Sequence, residues 1–128
     1  MGQSIMLAGL GKCDTQENKH KDAMKNYNEA IKFAEKMGES GLSYMLFPCS
    51  SYIDACININ ENINVENMGE KLENALKKYS KQKSIFIDAV TELEGPLNIW
   101  KKTYKDNWVS EVEGTIKNIK EEEKKKKE

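Results

Sequence analysis

From Val65 to Ile119 an apolar residue returns every three or four positions. Val65, Met68, Leu72, Ala75, Tyr79, Gln82, Phe86, Ala89, Leu93, Leu97, Trp100 and Tyr104 follow one another in this way, and Trp108, Val112, Ile116 and Ile119 continue at near-helical spacing. This stripe limits the possible folds more than any other feature. As one helix it would be about 80 Å long at a rise of 1.5 Å per residue. So long a helix needs other helices along its seam, from the same chain or from a second copy. The expected fold class is therefore all-α, built of long antiparallel coiled-coil helices. Leu72, Tyr79, Phe86, Leu93, Leu97, Trp100, Tyr104 and Trp108 form the packing or dimer seam. Gly95 and Pro96 interrupt the stripe, which slips by one residue between Leu93 and Leu97 and then continues. Proline removes a backbone donor and crowds the preceding turn, so the expectation is a kink in a continuous helix.

The N-terminal part carries a shorter stripe: Met6, Leu10, Cys13, Glu17, His20, Met24, Tyr27, Ile31 and Ala34. It is polar at Glu17 and His20, and Asp14 with Glu17 could instead cap a helix beginning there. Gly38 reads as a left-handed stop. Leu42, Met45, Leu46, Cys49, Tyr52, Ile53, Cys56 and Ile57 have helical spacing, with Pro48 either opening that helix or kinking it. Asn58 to Asn64 reads as a frayed end and a loop. The division expected is a helical domain over 1–119 and a charged tail over 120–128, solvated or disordered.

With 128 residues, 38% hydrophobic and 32% charged, the chain suits one domain of amphipathic helices better than a thick globule. Its net charge of −1 leaves anion binding to local clusters. All the basic residues are lysine, which offers a mobile point charge and no rigid fork. Cys13, Cys49 and Cys56 are odd in number, form no CxxC and follow no secretory signal, which fits buried thiols in a reducing cytoplasm. No apolar run approaches the roughly 18 residues of a membrane span. Met1-Gly2-Gln3-Ser4-Ile5-Met6 falls short of a myristoylation signal because Met6 stands where Ser or Thr is needed.

Catalytic chemistry is not readable. His20 is the one histidine, and Cys13 lies seven residues away, too far for a direct pair on one helix. There is no HExxH, phosphate-cradling glycine loop or nucleophile elbow. The expectation is a non-enzyme without metal or cofactor.

Lysines gather in three places. Lys77, Lys78, Lys81 and Lys83 form one group, and Lys101, Lys102 and Lys105 a second. Lys117, Lys120, Lys124, Lys125, Lys126 and Lys127 form the third. Near an anionic leaflet each lysine is worth about 1 kcal/mol. Glu111, Glu113 and Glu121 to Glu123 lie close by, so an ordinary solvated face is the other reading. Trp100, Tyr104 and Trp108 read either as core or as an aromatic anchor. Nucleic acid is not expected, because arginine and the RNA-binding signatures are both missing.

Met68-Gly69-Glu70-Lys71-Leu72, Phe86-Ile87-Asp88 and Leu93-Glu94-Gly95-Pro96-Leu97-Asn98-Ile99-Trp100, followed by a lysine-rich amphipathic stretch, resemble the central helix of BAR domains, especially the endophilin-like group. Tyr27 to Ile31 and Met37-Gly38 resemble the end of that family's first long helix. The resemblance spans about two thirds of the chain and lacks the family's third long helix. It implies a curved homodimer that binds anionic membrane, senses or shapes curvature, and serves processes such as endocytosis from the cytoplasm. Under it the lipid-binding residues are Lys101, Lys102, Lys105, Lys117, Lys120, Lys124, Lys125, Lys126 and Lys127. A rival reading is a protein-interaction scaffold, either a plain coiled coil or helical hairpins. For the latter, Ala23 to Ile31 resembles a helix of TPR proteins, although no second copy shows at their 34-residue period. A redox or metal protein using the cysteines is the third reading.

Overall fold

A computed structural model describes residues 2–38, 41, 44–79 and 90–126, and every regular element among them is an α-helix. In chain order these are α1 (Gly2–Gln16), α2 (His20–Lys36), α3 (Leu46–Asn58), α4 (Val65–Tyr79), α5 (Glu94–Thr103) and α6 (Asn107–Lys126). The protein is all-α.

The first stripe breaks into a hairpin at its two polar positions. α1 ends at Gln16 and the chain turns at Asn18, which has φ +63°. The Lys19 amide reaches the Asp14 carbonyl at 2.7 Å, and the Asn18 amide reaches that of Thr15 at 3.1 Å. This double closure satisfies carbonyls that a helix end leaves open, and asparagine tolerates the left-handed residue it requires. Asp14 is therefore no cap; its carboxylate accepts from the Asn26 side chain at 2.7 Å and ties α1 to α2. α3 ends in the same way. Asn60 has φ +55°, the Glu61 amide bonds Cys56 O and the Asn60 amide bonds Ile57 O, both at 3.1 Å. Gly38, at φ +63°, follows the end of α2. Pro48 is the third residue of α3, where its missing N–H costs no helical bond.

The long rod expected over 65–119 does not form. α4 is described as far as Tyr79; the side chain of Tyr79 and the segment 80–89, with Gln82 and Phe86, lie outside the described residues. Val90 and Thr91 are helical, the chain turns at Glu92 and Leu93, and α5 begins at Glu94. Gly95 and Pro96 thus sit in the first turn of α5. The interruption lies at Glu92, whose carbonyl the Pro96 ring would displace in a continuous helix. A second break follows at Tyr104, extended at φ −117° and ψ 137°. The longest of the described helices, α6, has 20 residues, about 30 Å, and packs back on α4 and α5. Leu72, Leu93, Leu97, Trp100, Tyr104 and Trp108 are all buried within the one chain. Their seam is covered intramolecularly.

One burial pattern recurs on three of the described helices. On α2 the buried positions are Ala23, Met24, Tyr27, Ala30, Ile31 and Ala34. Forty-five residues on, α4 buries Met68, Gly69, Leu72, Ala75 and Leu76 at the corresponding places. Forty residues further, α6 buries Trp108, Val109, Val112, Thr115, Ile116 and Ile119. Positions at steps of one and three make a face wider than a coiled-coil seam, which serves two neighbours. Among the described helices each of these has two main neighbours: α2 lies against α1 and α3, α4 against α3 and α6, and α6 against α4 and α5. A single continuous core joins α2 to α6.

Close approaches fix the spacing between neighbours. A Cβ added at Gly11 would lie 2.6 Å from the Tyr27 ring, and one at Gly69 would fall still closer to the Trp108 indole. Both glycines let a large aromatic of the adjoining helix lie flat on backbone. Polar contacts then tie the third pair to the second. Trp100 Nε1 donates to the Asp54 carboxylate at 2.9 Å, and the Tyr104 hydroxyl donates to Asn62 at 3.2 Å.

Candidate functional site

α5 and α6 form an antiparallel pair held by two ion pairs. Glu94 meets Lys120 and Lys101 meets Glu113. Seven residues forward on α5 correspond to seven back on α6, so the two helices stay in register over two turns. Beside these pairs lies a groove of about 620 Å³. Leu97 and Ile116, themselves buried, supply its apolar floor, and Asn98 stands on its α5 wall. Four carboxylates (Glu94, Glu113, Glu121, Glu123) and three lysines (Lys117, Lys120, Lys124) make the rim. The sequence pattern puts these residues here because α6 turns its 116–119 face to the core while its polar positions flank the open side.

The lysines expected to bind lipid are divided by this arrangement. Lys117, Lys120 and Lys124 come together on the groove. Lys101 is bound to Glu113. Lys102, Lys105 and Lys125 are exposed elsewhere, while the side chain of Lys126 and all of Lys127 lie outside the described residues. Away from the groove, Lys77 pairs with Glu73 at 2.7 Å and Glu111 at 2.9 Å, which raises its pKa. The seam residues Trp100, Tyr104 and Trp108 are a buried cluster, with ring centroids 5.7 and 5.8 Å apart. They serve as core. What the sequence conceals is the acid at Lys120: Glu94 lies 26 residues away, beyond any local spacing rule.

The described cysteines are held apart from reactive chemistry in two cases of three. Burial pushes the Cys49 thiol up to about 12 and the Cys56 thiol up to about 11. Both stay protonated and unreactive at neutral pH. Cys13 is exposed on α1. Burial raises the Asp54 carboxyl, and the bond from Trp100 offsets part of that. Tyr104 is pushed up to about 12, chiefly by burial. Among the described residues no group of three or more metal-ligating side chains occurs, and no helix is long and apolar enough to cross a membrane.

The chain matches no family model, and no curated protein or solved structure is significantly similar to it.

Proposed function

We propose that the protein is a non-enzymatic scaffold of stacked helical hairpins that binds a protein segment in the groove between α5 and α6. The observation that carries this reading is the recurrence of one buried face, six positions on α2 and α6 and five of them on α4, on helices each set between two described neighbours. Hairpins stacked in chain order build a core from repeated units and leave helix faces free for partners. An apolar floor between charged walls suits an amphipathic helix, whose apolar stripe fills the floor while its flanks meet lysine and glutamate. The test is a pull-down with the full chain and with Asn98→Trp, which fills the groove from its α5 wall. Proteins retained by the wild type and lost with the variant are expected. Retention indifferent to the variant would remove the groove from the proposal.

A second reading, the BAR-like homodimer on an anionic membrane, draws on one observation. Ile99 is 51% exposed on α5 with Lys102 one turn along, an apolar side chain beside a cation. It carries less weight because Lys101 and Lys120 are already engaged by carboxylates. Vesicles containing phosphatidylserine, compared with pure phosphatidylcholine, separate the readings. Pelleting that needs the anionic lipid and falls with salt supports the membrane; no pelleting with either lipid supports the scaffold.

A further inference from the structure

Among the described residues two faces of the stack have no helix against them, and their chemistry differs. At the first end stands α1, which packs on α2 and more lightly on α3. Its Met6 and Leu10 are 58% and 48% exposed. They are four residues apart, so they lie one above the other on one face. α1 carries only Lys12 and Asp14 as charged residues between Gly2 and Gln16. The exposed side of α1 thus sets Met6, Leu10 and Cys13 beside Lys12 and Gln16, an apolar strip that no described helix covers. At the other end the groove between α5 and α6 has the complementary character: apolar floor, charged rim and room for side chains.

We infer that the two ends meet in trans, with the Met6–Leu10 face of α1 in one copy seated in the α5–α6 groove of a second copy. This rests on the scaffold reading and names the occupant of its groove. A second copy is favoured over an unrelated partner because the chain itself presents the missing apolar helix. A nearly uncharged helix also brings no like charge to the Glu94, Glu113, Lys117 and Lys120 rim. The contact is heterologous, since a different surface is used on each copy, so it leaves a free end and can extend into a ring or a short filament.

Sedimentation of the full chain over a concentration series tests this, with circular dichroism establishing that each variant is folded. The wild type is expected to associate as concentration rises. Met6→Glu combined with Leu10→Glu removes the inserting face, and Asn98→Trp fills the groove; each variant alone is expected to stay monomeric. Mixed one to one, they are expected to form a dimer and nothing larger, because one intact end survives on each. A wild type monomeric throughout overturns the inference, and if it still retains a partner through the groove the scaffold reading stands without it. Association untouched by the α1 variant overturns it as well. So does a mixture of the two variants that stays monomeric.

Discussion

α2 and α6 occupy equivalent places in the stack and fill them oppositely. α2 presents small residues, Ala23, Ala30 and Ala34, around one large ring, Tyr27, which lies over Gly11. α6 presents Trp108 at the first of its positions and branched residues at most of the others, with Gly69 of α4 under the indole. In both the ring is accommodated by a glycine on the neighbouring helix, but that neighbour precedes α2 within its own hairpin and belongs to the previous hairpin for α6. The same buried face can thus be closed locally or across repeats. The third hairpin depends on its neighbour more than the first does.

The largest effect that sharpens this contrast is expected from Trp108→Ala, at about 4 kcal/mol as for a fully buried large aromatic. Chemical denaturation should show it, and hydrogen exchange should show α6 losing protection ahead of α2. Next come the glycines. Gly69→Ala should cost about 2–3 kcal/mol and Gly11→Ala about 1–2, both by overpacking. The order follows from the closer approach at Gly69, and Trp108→Leu should relieve Gly69→Ala while leaving Gly11→Ala unrelieved. Equal costs with no relief would mean that the two contacts are not the paired device described.

Asp54 is the hinge between the second hairpin and the third. Asp54→Ala leaves Trp100 Nε1 buried without an acceptor and should cost about 2 kcal/mol. Asp54→Asn keeps an acceptor and removes the buried charge, so it should be near neutral at pH 7. The folded carboxyl lies above its ordinary value of 3.8, so between those two values the folded state holds more protons than the unfolded one. Stability contributed by this group therefore rises as pH falls through the folded pKa and levels off below the unfolded one. The wild type should gain on Asp54→Asn as pH is lowered across that window, measured as the difference between their denaturation midpoints.

The smallest effect concerns the two asparagine stops. Asn18→Ala and Asn60→Ala should each cost about 1 kcal/mol in thermal unfolding, and the glycine variants less, because only the left-handed backbone is at stake.

Much of the fold is legible in the residues. The break at Glu17 and His20 is visible as two polar positions, the stop at Gly38 as a glycine, and the loop after Asn58 as an asparagine-rich stretch. The rod over 65–119 is misread for a geometric reason. Tyr104 to Trp108 is a step of four, so the stripe keeps its phase across an extended turn that reverses the chain. The repeat is hidden because its intervals are 45 and 40 residues and because alanine, methionine and tryptophan share its first position. The groove is only half legible: Leu97, Lys117, Lys120 and Lys124 stand out, but Glu94 and Glu113 meet their lysines only after the chain has folded back.

Small-angle scattering at high dilution bears most directly on that folding back. A stack in which α6 lies on α4 predicts a radius of gyration near that of a compact domain of this length, about 14 Å. A profile of rod type, with a radius above about 20 Å as an unbroken helix over 65–119 would require at 1.5 Å per residue, would contradict it.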